Sequence, residues 1–225
     1  MGRLADRAGR PYTRRMFRWI ALCCTFLATP AAWAHPHVFV DVSLRFLAND
    51  EGMLTGVDVT WSYDEFFSLL VLEDRGLDPD ADMILTKPER AALLGFDLTD
   101  WPDGFEGALF LFEGGQKVAL DPPKATYADV QAGRIVTRHT RTFTPMPADA
   151  LVGQAYDPSY YAALTLKQVT GLSNECDVAV ERPDTAAADA IVAKLGNSAD
   201  EGFFEEVQVG IHYADTFEVT CAASS

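Results

Sequence analysis

The sequence predicts an α+β fold, mostly antiparallel sheet and sandwich-like, with an inserted EF-hand-like helix–loop–helix. Three observations carry this expectation. The stretch HVFVDVSLRF (37–46) alternates apolar and polar residues, as a half-buried strand does. Between about residues 62 and 95 the period changes to that of helices. From Gly104 onward short strand-like segments return, interrupted by one helical segment. Strands, a helix pair, strands, one helix and strands again is the order of an α+β domain, not of repeated βα units.

Residues 1–34 read as an export signal. Arg14, Arg15 and Arg18 form a basic head, WIALCCTFLATPAA is an apolar run too short for a comfortable membrane span, and Ala32-Trp33-Ala34 fits a small-x-small cleavage site. A start at Met16 would still leave a complete signal, and the route is open between general and twin-arginine export. Cys23 and Cys24 lack the small residues that precede a lipidated cysteine, so no lipid anchor is expected. Cleavage after Ala34 gives a periplasmic protein, residues 35–225, forming a single domain with the helix–loop–helix inserted at about 62–95.

Within that domain, Val38, Val40, Val42, Leu44 and Phe46 share one strand face. His37, Phe39, Asp41, Ser43 and Arg45 take the other. Asn49–Gly52 is a turn, and MLTGVDVTW completes a hairpin. SYDEFFSLLVLEDRG reads as a helix with a Ser62/Glu65 capping box. PERAALLG is a second helix, opened by Pro88 and closed by Gly95. Strands are expected over FEGALFLFE, QKVAL, ATYADVQ, RIVTRHTRTF, ALVGQAYD, YYAALTL and CDVAVE. DTAAADAIVAKLG is a helix between Asp184 and Gly196, and EEVQVGIHYA and TFEVTC are the closing strands.

The chain has 18 basic and 33 acidic residues. Six of the basic and one of the acidic residues lie in the leader, leaving 12 − 32 = −20 for the rest. Such a charge argues against nucleic acid and anionic membranes as partners and suits a protein that meets cations, or one kept soluble by repulsion. Cys176 and Cys221 are the cysteines outside the leader. An oxidising compartment predicts a disulfide between them, closing a loop of about 45 residues and contributing roughly 3–4 kcal/mol in the chain-entropy account.

Two of the four histidines sit in AHPHVFVD. With His35 as the new terminus, its α-amine and imidazole chelate one ion of nickel, cobalt, zinc or copper. Pro36 has no N–H, which blocks the tight site that uses deprotonated backbone nitrogens, and His37 is a third ligand candidate. The alternative is an exposed strand start. His139 is a further candidate ligand, or a satisfied, half-buried histidine beside Ile135 and Phe143. His212 lies opposite Val207, Val209 and Ile211, where simple exposure accounts for it.

A second cation site is expected in DPDADMILTKPE. Asp78, Asp80, Asp82 and Glu89 match the charged positions of a calcium loop, Ile84 offers its carbonyl, and Thr86 stands at the ninth position. Met83 occupies the place where glycine makes the sharp turn. A turn rich in aspartate, followed by a Thr86–Glu89 capping box, explains the same letters.

Taken together, HPHVFVD, GVDVTWSYDEFFS, the acidic loop before TKPE, YDPSYY and YADTFEVTC resemble the bacterial family called domain of unknown function 1007, over most of the chain beyond the leader. The resemblance implies a periplasmic partner of nickel/cobalt-type transport, with an inner-membrane metal permease as its partner. It also implies His35, His37, Asp64 and Glu65 as metal ligands, with Tyr156, Asp157 and Tyr161 in the same or a neighbouring site. Helix capping and a proline turn explain those last two groups as well.

The expected function is therefore non-enzymatic: a metal-binding accessory protein of a divalent-metal transport system. The alternatives are a calcium-stabilised interaction domain and a histidine-brace copper enzyme. No G-x-S-x-G elbow, H-E-x-x-H helix, C-x-x-C pair or P-loop is present to support catalysis.

Overall fold

The computed structural model describes residues 36–99, 101, 105–195 and 206–222. Residues 1–34, where an export signal is expected, and His35 lie outside these residues. Ala34–Ser225 form one compact unit.

Among the described residues ten strands form two five-stranded sheets. The strands are β1 (Val38–Ala48), β2 (Leu54–Tyr63), β3 (Leu109–Glu113), β4 (Gln116–Lys117), β5 (Lys124–Gln131), β6 (Arg134–Met146), β7 (Leu151–Ala155), β8 (Ala162–Thr170), β9 (Cys176–Glu181) and β10 (Asp215–Cys221). One sheet runs β5-β6-β2-β1-β8 and the other β4-β3-β7-β10-β9. All pairings are antiparallel except β1 with β8. The mostly antiparallel, two-sheet part of the expected architecture is thus present.

The β1–β2 hairpin follows from alternation. Val38, Val40, Val42, Leu44 and Phe46 are all buried, as are Val57, Val59, Trp61 and Tyr63 on β2. These residues join Leu109 and Leu111 of β3, Leu151 of β7, and Phe217 and Val219 of β10 in one core cluster spanning both sheets. Phe46 meets Phe217 edge-on at 6.1 Å between ring centroids. Gly153 makes room for this packing, since a Cβ there would lie 2.2 Å from the Phe217 ring. A polar link also crosses the core: Leu166 N donates to Asp215 Oδ2 (2.6 Å), and Arg182 pairs with the same carboxylate.

Among the described residues three α-helices accompany the sheets: α1 (Glu65–Asp74), α2 (Lys87–Leu93) and α3 (Thr185–Leu195). A helix–loop–helix therefore occupies the expected segment. Its first cap differs from expectation. Ser62 belongs to β2, and Asp64 caps α1 by accepting the Phe67 N–H at 2.8 Å. The Thr86/Glu89 capping box of α2 is formed. Helix α1 docks on β6 through Ser68, whose hydroxyl accepts the Ile135 N–H at 2.8 Å.

One expected strand is absent. Part of EEVQVGIHYA lies outside the described residues, and Val209–Tyr213 form a 3₁₀ helix. Tyr213 stacks on Tyr160 at 3.8 Å and donates to Asp189 of α3 at 2.8 Å, so a small second core with Ala188, Val192 and Val209 overrides the alternation. Cys176 and Cys221 form a disulfide between residues directly opposite on β9 and β10.

Candidate functional site

The loop between α1 and α2 gathers the groups expected for a cation. One carboxylate oxygen each from Asp78, Asp80 and Asp82 lies within 4.8 Å of the others. Among the described residues no other set of three or more histidine, cysteine or acidic side chains comes together this way.

The loop is closed by its own hydrogen bonds. Asp78 is buried, and its carboxylate accepts the N–H groups of Asp82 (3.2 Å) and Met83 (3.0 Å). Asp82 accepts from Ile84 N at 2.8 Å. Glu89 brings the end of the loop back to its start, with Oε1 accepting from Asp78 N at 3.3 Å and Oε2 accepting from the Thr86 N–H and hydroxyl at 2.7 and 2.6 Å. These Thr86 bonds hold the Glu89 carboxyl below its usual range. Leu85, 2% exposed, anchors the loop in the core.

Met83 has φ +60°, the left-handed region that glycine enters freely. A side chain there costs roughly 1–2 kcal/mol. Packing of Met83 against the core opposes that cost.

The other expected ligands are dispersed. His37 lies beside Tyr161, with ring centroids 5.0 Å apart. The His37 and Val38 N–H groups donate to the Tyr161 carbonyl at 2.9 and 3.3 Å. Asp64 spends both carboxylate oxygens on the backbone, Oδ1 on Phe67 N and Oδ2 on Phe39 N, each at 2.8 Å. It joins β1 to α1. Glu65 is exposed in the first turn of α1. Tyr156 stacks on Phe110 at 4.4 Å. Asp157 organises the turn into β8 by accepting from Ser159 N (3.0 Å) and Ala162 N (2.9 Å).

His139 is 1% exposed, where half-burial was expected. It shares the inner face of β6 with Thr137 and Arg141, and packs edge-on against Trp61 at 4.9 Å. Neither ring nitrogen has a hydrogen-bond partner among the described residues. Burial, helped by the Arg141 charge and opposed by Asp58, lowers its pKa to about 4, so the ring is neutral. His212 is exposed.

Two features escaped the sequence reading. Asp97 accepts from Thr137 Oγ1 (2.6 Å) and Tyr63 Oη (3.0 Å), and burial raises its pKa. No periodic signal marks an aspartate in the GFD stretch. The second is an open groove of about 650 Å³ along α1, lined by His37, Phe66, Leu70, Glu73, Asp74 and Tyr161 among others. Its signal was present, because α1 has apolar residues at 66, 67, 69, 70, 71 and 72, on every side.

A family profile described as "Protein of unknown function (DUF1007)" matches residues 20–221. The chain belongs to the DUF1007 family. No curated protein matches this DUF1007 chain. Among solved structures, it is similar to acetylcholine-binding protein type 1 of Biomphalaria glabrata, at 11% identity, covering 93% of this chain and 98% of that one, with a TM-score of 0.31. It is also similar to the acetylcholine-binding protein of Bulinus truncatus, at 10% identity, with 91% and 97% coverage and a TM-score of 0.31. At those scores neither the fold nor the ligand of these proteins carries over to the DUF1007 chain. No helix among its described residues is long and apolar enough to cross a membrane.

Proposed function

We propose that this DUF1007 protein is an exported, non-enzymatic cation-binding protein whose 78–89 loop, EF-hand-like between α1 and α2, takes a hard divalent ion of the calcium type. The observation that carries this reading is the closed loop. Three aspartates at the first, third and fifth positions converge, the twelfth-position Glu89 returns to Asp78, and Met83 takes the left-handed turn that glycine makes in such loops. In the bound state Ile84 would add its carbonyl and Thr86 its hydroxyl or a water, and Glu89 would turn from Thr86 to the ion. Oxygen ligands of this kind suit calcium over nickel or copper.

Calorimetric titration with calcium tests the reading. Binding in the range of about 10⁻⁴–10⁻³ M is expected, as for extracellular modules. The double variant Asp80→Asn/Asp82→Asn removes it while leaving Asp78, which holds the loop backbone, in place. No heat at millimolar calcium refutes the proposal.

A second reading is capture of nickel, cobalt, zinc or copper at His35 and His37 and delivery to an inner-membrane metal permease. It is favoured by the position of His37 at a groove that also carries Glu73 and Asp74. Elemental analysis of the exported protein and of a His35→Ala/His37→Ala variant distinguishes it: bound metal lost in the variant supports the terminal site, and equal metal content in both refutes it.

A further inference from the structure

Helix α1 is apolar on both sides. Its inner side, Ser68 and Leu72, is buried against the domain. On its outer side Phe66, Leu69 and Leu70 follow one another at helical spacing and are 69%, 51% and 44% exposed. A helix that is apolar all round belongs in an interior. This one lines the groove together with the half-exposed Tyr161 and His37.

The ends of the apolar stripe are acidic. Glu65 sits in the first turn, and Glu73 and Asp74 close the last. The last turn has no basic residue, so two carboxylates stand on the negative end of the helix dipole, an arrangement that raises the local negative potential and disfavours the isolated helix. Asp64 adds charge at the other end, with its oxygens on backbone N–H groups. The nearest cation along the helix, Arg75, lies with its guanidinium over the Phe96 ring at 5.3 Å.

We propose that this groove is a docking surface for a cationic amphipathic helix of a partner protein, its leucine-like side chains seated between Phe66, Leu70 and Tyr161, and its lysines or arginines against Glu73, Asp74 and Glu65. Charge decides the occupant. A second copy of this chain would set acid against acid, with −20 on each protomer outside the leader, and an anionic lipid surface meets the same repulsion. A helix laid in an apolar groove, with flanking charges fixing its register, is a recurring mode of peptide recognition. The proposal goes beyond cation binding by the 78–89 loop and does not depend on it.

The test uses the protein lacking its leader and a fluorescently labelled amphipathic helix of leucine and lysine. Its controls are a scrambled peptide of equal composition and a leucine–glutamate analogue. Saturable binding of the cationic helix, with neither control bound, is the expected result. The exposed triple variant Phe66→Ser/Leu69→Ser/Leu70→Ser is expected to weaken it by at least about tenfold, since the anchors of an interface carry most of its affinity. Glu73→Gln/Asp74→Gln is expected to weaken it and flatten its salt dependence. Equal binding of the scrambled peptide, or no change in the triple variant, overturns the proposal. So does self-association in sedimentation that the triple variant abolishes, which would make the groove a homodimer interface.

Discussion

Two regions of this molecule concentrate polar side chains under opposite rules. Along the inner face of β6, Thr137, His139 and Arg141 are 2%, 1% and 5% exposed. The hydrogen bonds of Thr137 and Arg141 are fixed and internal, while His139 between them is held by packing alone. Thr137 meets Asp97, and Arg141 donates to the carbonyls of Asp121 (2.6 Å), Glu106 (2.7 Å) and Leu120 (3.0 Å). In the 78–89 loop the backbone is satisfied by carboxylates, yet the carboxylates of Asp80 and Asp82 face solvent and one another. At Thr137 and Arg141 the β6 row is a closed set of bonds that cements the core. The loop has finished its architecture and keeps negative charge to spare, and that surplus makes it the better candidate for a ligand.

The sharpest way to break this contrast is to open the closed set. Arg141→Ala leaves three inward carbonyls short of a donor and removes the cation beside Trp101, 5.8 Å from its ring. A loss of roughly 3 kcal/mol or more in urea unfolding is expected. A loss under about 1 kcal/mol would show that water replaces the guanidinium and that the row is not closed.

His139 gives the next effect, and its sign follows from its pKa. In the fold the ring protonates near 4, against 6.5 when unfolded. As pH falls, the unfolded chain takes up the proton first. Stability is intact above about 6.5, declines between 6.5 and about 4, and loses roughly 3 kcal/mol by the end of that window. Asp97, with its raised pKa, protonates first in the folded state and offsets part of the loss. His139→Leu should remove most of the slope. It should also gain about 1 kcal/mol at neutral pH, because two unpartnered ring nitrogens disappear. A variant with unchanged pH dependence would sink this account, and one that loses bound transition metal would return His139 to the ligands.

The smallest effect belongs to the loop. Met83→Gly relieves the left-handed strain and should stabilise by about 1 kcal/mol or less after the extra chain entropy of glycine. The thermal midpoint in calcium should rise more than the midpoint without it, since the turn becomes freer to close round an ion. Equal shifts in both conditions would mean that Met83 limits folding and not binding.

The alternation that marked β1, β2 and β6 is a backbone-level signal, and the strands follow it because one side of each faces a core. The helix–loop–helix was legible for the same local reasons: Thr86 and Glu89 are three residues apart, and Leu85 is the apolar eighth residue of the loop. What the letters could not give is long-range pairing. Asp64 and Ser62 are equally good caps on paper, and the choice of Asp64 depends on Phe39, 25 residues away, offering a second N–H. On the letters alone His139 stood between a ligand and a half-buried core residue. Its burial depends on β6 lying between β5 and β2. The strand expected near Val209 gave way to the Tyr160–Tyr213 stack, a contact across about 50 residues that no window of sequence displays.

The parallel pairing of β1 with β8 governs the order in which the chain becomes whole. Val38 lies opposite Ala162, so 162 − 38 = 124 residues must be made before the first link of that ladder closes. During synthesis β1 can zip to β2 at once, yet its other flank stays an open row of N–H and C=O groups, the kind of edge that recruits stray strands. A nascent chain halted anywhere before β8 is therefore a sticky half-sheet, and any cellular factor that escorts this protein has that flank of β1 to shield.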